Sequence, residues 1–174
     1  PMQASPFFHR SAYAQDMARQ LLQPNALQVQ VRSGVFLSGI RRIGKTTFLR
    51  QDLIPALESM GALVIYVDLW ADRSKNSASL VHEAVRATLA ELAAPGTSLL
   101  ERFKGVNVGA AGFTFGFQVD AVGKPGGATL GDVFTELVDK VKTNVVLVVD
   151  EVQQALGTEE GSNLLFALKA ARDA

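Results

Sequence analysis

Val35-Phe36-Leu37-Ser38-Gly39-Ile40-Arg41-Arg42-Ile43-Gly44-Lys45-Thr46-Thr47 is the stretch from which the rest of the chain can be read. The short apolar run before Gly39 has the pattern of a buried strand, and Phe48, Leu49, Leu53, Ile54 and Leu57 keep a helical period afterwards, as far as Met60. Between them lies Gly39-x4-Gly44-Lys45-Thr46, a spacing suited to holding phosphate. Glycines let backbone N–H groups converge on phosphate oxygens, and the start of the following helix presents the positive end of its dipole. Lys45 can reach the β- and γ-phosphates of a nucleotide, and the Thr46 hydroxyl can ligate Mg2+. The predicted nucleotide-binding residues are Gly39, Ile40, Arg41, Arg42, Ile43, Gly44, Lys45, Thr46 and Thr47.

Working outward, Pro55 is expected to kink the helix or end its first half, and Gly61 to close it. Leu63-Val64-Ile65-Tyr66-Val67-Asp68 follows as a second buried strand, apolar on both faces. Strand, glycine turn, helix and strand make one βαβ unit, so the fold class is α/β with a mostly parallel sheet. Leu80, Val81, Ala84, Val85, Leu89 and Leu92 define a helix over 79–93, and Val133, Phe134, Leu137, Val138 and Val141 another over 130–142. Between them, Val106 and Val108, a glycine turn at 109–112, and the alternating Phe113, Phe115, Phe117 and Val119 give a β-hairpin signature at about 105–122.

Val145-Val146-Leu147-Val148-Val149 is the third buried strand, and it ends in Asp150-Glu151. A phosphate-binding loop needs a carboxylate at the tip of a neighbouring strand for the Mg2+ shell, which assigns Thr46 and Asp150 to the metal. Glu151 is then the candidate base for the attacking water, a task the metal-facing carboxylate cannot also perform. Glu151 and Lys45 are the predicted catalytic residues.

Ser38–Thr47 and the Val145–Gln153 stretch, Val-Val-Leu-Val-Val-Asp-Glu-Val-Gln, resemble the Walker A and Walker B motifs of P-loop NTPases, specifically archaeal-type ATPases of the AAA+/STAND groups. The paired Arg41-Arg42 is the detail nearest to that family. The resemblance runs from about Pro6 to the end. It implies a three-layer α/β/α fold with a β-hairpin insertion, ATP and Mg2+ as substrate and cofactor, and hydrolysis coupled to conformational change or assembly. In such ATPases the sheet has five strands, and a later strand separates the Walker B strand from the P-loop strand. Three strands of this kind are found here, so the remaining strands, a polar sensor and a helical lid are expected beyond Ala174, and the sequence is expected to be cut there. Residues 1–34 read as an N-terminal helical segment leading into an incomplete ATPase core over 35–174.

Composition narrows the alternatives. With 48% apolar and 20% charged residues the chain can bury a sizeable core, and zero cysteines exclude a disulfide scaffold or thiolate zinc site. Seventeen Lys+Arg balance 17 Asp+Glu, so there is no basic excess for general binding to nucleic acid or membrane surfaces. No apolar run approaches the ~20 residues of a membrane span, and no leader pattern opens the chain, so a cytoplasmic location is expected. Pro1 reads as a remnant before a native start at Met2.

Secondary signals stay open between two uses. Arg41 and Arg42 suit phosphate, a neighbouring subunit or solvent. Phe7-Phe8-His9-Arg10 suits docking on the core better than covering adenine. Asp68 suits either the water shell of Mg2+ or a plain strand end. The Phe113/Phe115/Phe117 stripe suits packing on its own domain better than a partner face, and His82 reads as ordinary surface. Partner contacts, including self-association, are expected through the hairpin or the missing C-terminal region. An apolar stripe on a helix over 12–22, alternation at Leu27, Val29 and Val31, and an amphipathic helix over 162–172 complete the pattern. A GTPase is disfavoured because Gln153 stands where a glycine is required and no Asn-Lys-x-Asp motif occurs. A small-molecule kinase, an ATP-holding signalling switch with little turnover and a DNA-associated motor or loader remain alternatives.

Overall fold

The computed structural model describes residues 11–22, 45–105, 108 and 111–151. Helix α1 (Ser11–Leu22) buries Ala14 and Ala18, four residues apart on one face. Helix α2 (Lys45–Phe48) passes through a π-helical turn (Leu49–Leu53) into α3 (Ile54–Ser59) without a break. Pro55 accounts for the wide turn. In a regular α register its ring would press on the Gln51 carbonyl, whereas here the Ile54 N–H bonds to the Leu49 carbonyl one residue further back. The expected kink is therefore absorbed as a register change, and Gly61, at φ +90, closes the helix.

Strands β1 (Leu63–Asp68) and β2 (Val145–Asp150) are hydrogen-bonded neighbours in parallel, with Leu63 opposite Val145 and Asp68 opposite Asp150. The crossover between them carries α4 (Ser77–Ala93), α5 (Ser98–Phe103), a 3-10 turn (Val119–Ala121) and α6 (Leu130–Val141). Side chains start these helices. Asn76 Oδ1 accepts the Ser79 N–H at 2.8 Å, Thr97 Oγ1 accepts the Leu100 N–H, and Thr129 with Asp132 forms a reciprocal capping box. Helix α5 was not predicted, because its six residues are too short to show a period.

Alternation along the strands separates the core into two apolar clusters. Leu63, Ile65, Val67, Val145, Leu147 and Val149 pack with α4, α5 and α6 through residues such as Val81, Leu89, Leu100 and Leu137. Val146 and Val148, with the half-buried Val64 and Tyr66, meet Leu49, Leu53 and Leu57 and the alanines of α1. All six β2 residues are buried, the pattern of a central strand. Strand β1 instead alternates between buried and half-buried, so only one of its faces is fully covered.

The β-hairpin is not seen in the described part of 105–122. Residues 112–115 are irregular, 116–117 form a bend, and the 3-10 turn follows at Val119. The backbone groups a partner strand would have taken go to helices. The Phe113 N–H donates to the Leu92 carbonyl at the end of α4, the Gly116 N–H to Glu136 of α6 at 2.7 Å, and the Thr114 carbonyl accepts from Lys140. The alternation reflects a strap whose Phe113 is buried and whose Phe115 and Phe117 rings stack at 5.4 Å while packing against the core. His82 also departs from expectation. It is half-buried, against Gly123, rather than on the open surface. The predicted strands at 27–31 and 35–38, the Phe7–Arg10 segment and the helix at 162–172 lie outside the described residues.

Candidate active site

Period-2 alternation sends Val146, Val148 and Asp150 to one face of β2, the face packed by the helix that begins at Lys45. Asp150 closes that series at 0% exposure. Thr46, in the first turn of α2, donates its hydroxyl to Asp150 Oδ2 at 2.7 Å. Tyr66 of β1 donates its hydroxyl to the same oxygen at 2.9 Å, and the Glu151 N–H donates to Oδ1 at 2.9 Å. Buried carboxylate oxygens need hydrogen-bond donors, and these come from a helix, a neighbouring strand and the following peptide. Two residues 104 positions apart in sequence, predicted separately as metal ligands, are thereby in direct contact.

The donor set is hard oxygen, a hydroxyl beside a carboxylate. Among the described residues no group of three or more His, Cys, Asp and Glu gathers as a metal site. Mg2+ bound with substrate phosphates needs only one or two carboxylates, so the pair fits this ion better than one requiring a full protein cage.

Glu151 is buried too, at 8% exposure, and its backbone sits at φ +63. Lys142 shares the left-handed region at φ 58, but as the cap of α6, where that conformation commonly ends a helix. At a strand tip it has no such routine use. The left-handed turn costs roughly 1–3 kcal/mol for a residue with a side chain, and strain of this kind concentrates at functional sites. It takes Glu151 out of the strand's alternation immediately after Asp150.

Asp68, opposite Asp150 in the register, accepts the Trp70 N–H on Oδ1 at 2.8 Å and so starts the turn that leaves β1. Its role as a strand-end carboxylate is visible. Thr47 is half-buried in the first turn of α2. Gly39, Ile40, Arg41, Arg42, Ile43 and Gly44, and the side chain of Lys45, lie outside the described residues, as does Gln153.

Tyr66 is the site residue the sequence reading missed. Burial pushes its phenol well above the ordinary tyrosine range, the hydrogen bond to Asp150 and the charges of Asp150 and Asp68 push the same way, and Arg50 opposes them. Tyr66 thus stays a proton donor at any physiological pH. The Arg50 guanidinium lies 5.5 Å from the ring centroid. A signal was present, since a tyrosine in an otherwise aliphatic strand needs a partner for its hydroxyl.

A parallel pair of strands, a helix entered at Lys45-Thr46 and an aspartate at the neighbouring strand tip joined to that threonine define an α/β protein of the P-loop NTPase class. Within that class the chain belongs to the family described as the ATPase domain predominantly from Archaea, whose model matches residues 24–173. Neither a curated protein nor a solved structure matches the chain. Among the described residues no helix is long and apolar enough to cross a membrane.

Proposed function

We propose that this chain binds ATP with Mg2+ and hydrolyses its terminal phosphoanhydride, as an ATPase of the AAA+/STAND type whose nucleotide state drives conformational change or assembly. The observation that carries this reading is the Thr46–Asp150 hydrogen bond, which links the start of the P-loop helix to the tip of the Walker B strand. The three-layer core, continued by a strand at 35–38, is part of the same reading. Residues Gly39–Thr47 cradle the phosphates, with Lys45 neutralising charge on the β and γ groups. Thr46 and Asp150 hold the cation, which when bound screens the phosphate charge. Glu151 accepts the proton of the attacking water, a role supported by its burial and its strained backbone beside Asp150.

The test separates binding from chemistry. Lys45→Ala should abolish nucleotide binding in equilibrium titration, whereas Glu151→Gln should retain binding and lose turnover by about 10²–10⁴-fold, the usual contribution of a general base. Unchanged hydrolysis in Glu151→Gln would remove the assigned base. Nucleotide affinity unaffected by Lys45→Ala would remove the P-loop assignment.

A further inference from the structure

We propose that Tyr66 is a positioning residue for the metal, its hydroxyl fixing Asp150 Oδ2 in the orientation from which Asp150 and Thr46 jointly serve Mg2+. The proposal rests on the ATPase reading above and adds a residue that neither the P-loop motif nor the strand-tip motif contains.

Strand geometry places the residue. Tyr66 is paired in register with Val148, two positions before Asp150, so alternation puts Tyr66 and Asp150 on the same face. Both hydroxyl donors converge on one oxygen, Thr46 at 2.7 Å from the helix side and Tyr66 at 2.9 Å from the neighbouring strand. They are not equivalent. Thr46 must also offer an oxygen lone pair to a cation, so its geometry is shared between two partners, whereas the phenol of Tyr66 serves the carboxylate. Beside Thr46 and the Glu151 N–H on Oδ1, Tyr66 adds a donor from β1 that further restrains the terminal torsion of the carboxylate. Arg50 over the ring face adds a contact from the P-loop helix itself, so helix, β1 and β2 meet at this side chain. Outer partners that orient a metal-holding group commonly change metal affinity 10–100-fold when removed.

The test is calorimetric titration of a non-hydrolysable ATP analogue into the unsubstituted chain, Tyr66→Phe and Arg50→Ala, each in EDTA and in Mg2+. Bound Mn2+ is counted in parallel by electron paramagnetic resonance. Tyr66→Phe keeps the ring and removes only the donor. Its affinity in EDTA should stay within about twofold of the unsubstituted chain, while the gain in affinity on adding Mg2+ should shrink roughly tenfold, with Mn2+ occupancy falling alongside. Arg50→Ala, which removes the ring contact and leaves the hydroxyl, should keep the metal-dependent gain. An undiminished gain in Tyr66→Phe would overturn the proposal, and so would an equal loss with and without metal or the same loss in Arg50→Ala, since these indicate packing. If the unsubstituted chain shows no metal-dependent nucleotide affinity, the ATPase reading falls together with this one; if it does and Tyr66→Phe matches it, only this one falls.

Discussion

Replacing Thr46 by valine probes the contact on which the site depends. Valine keeps the β-branched shape and helix compatibility of threonine, so the change is confined to the hydroxyl that donates to Asp150 at 2.7 Å. Asp150 is fully buried and loses one donor while Tyr66 and the Glu151 N–H remain. A hydrogen bond to a charged group contributes about 1.5–3 kcal/mol, and the surviving donors favour the lower end, about 1.5 kcal/mol. For a chain of this size each kcal/mol moves the midpoint by about 2–4 °C, so a nucleotide-free thermal melt followed by circular dichroism should fall by about 3–6 °C. Thr46→Ser, which retains the donor, should melt near the unsubstituted chain. Addition of Mg2+ and ATP should restore the contrast in a second way. A ligand at 100 times its Kd stabilises the folded state by about 2.7 kcal/mol, and Thr46→Val should lose the part of that increment that depends on metal. A Thr46→Val protein with an unaltered melt and an unaltered metal-dependent increment would refute the reasoning, because a buried carboxylate cannot lose a short donor without consequence unless that donor was never engaged.

Gly123→Ala should be among the most damaging single-methyl additions, since Gly123 sits at φ +76 and an added Cβ would collide with the His82 ring. Left-handed backbone and overpacking together cost about 2–5 kcal/mol, readable as a lower urea midpoint at unchanged slope, and an unchanged midpoint would refute the contact. Burial first, and the charge of Arg86 second, hold the His82 pKa below its ordinary value. On acidification the unfolded chain therefore takes up this proton before the folded one does. Stability from this group is whole above the unfolded pKa of about 6.5 and declines as pH falls below it. His82→Gln should flatten the fall in urea midpoint between pH 7.5 and 5.5, and identical slopes would show that His82 does not report this burial.

Elements decided by local chemistry were legible in the sequence. The aliphatic run at 145–149 and the spacing of Leu80, Val81, Val85, Leu89 and Leu92 have a period and burial that follow directly from it, and each lies where expected. Asp150 and Thr46 were expected at one place from the spacing of the loop and the aspartate at the strand tip, and the two side chains are in contact. What escaped depended on contacts distant in sequence. The period-2 phenylalanines look like a strand, yet period alone does not supply a partner, and Leu92, Glu136 and Lys140 take their backbone groups instead. Pro55 looked like a break because sequence does not show that a π turn can absorb the lost hydrogen bond. Tyr66 was hidden because its polar tip finds Asp150 84 residues away.

The separation between Thr46 and Asp150 also has a consequence for synthesis. The two are 104 residues apart, and translation at roughly 5–20 residues per second puts about 5–20 s between their appearances. Through that interval the growing chain carries the helix that begins at Lys45 and β1, but not the strand whose Val146 and Val148 cover their shared apolar face. The emerging polypeptide therefore passes through a stage with that apolar face uncovered, which ends when β2 docks and the threonine hydroxyl exchanges water for carboxylate.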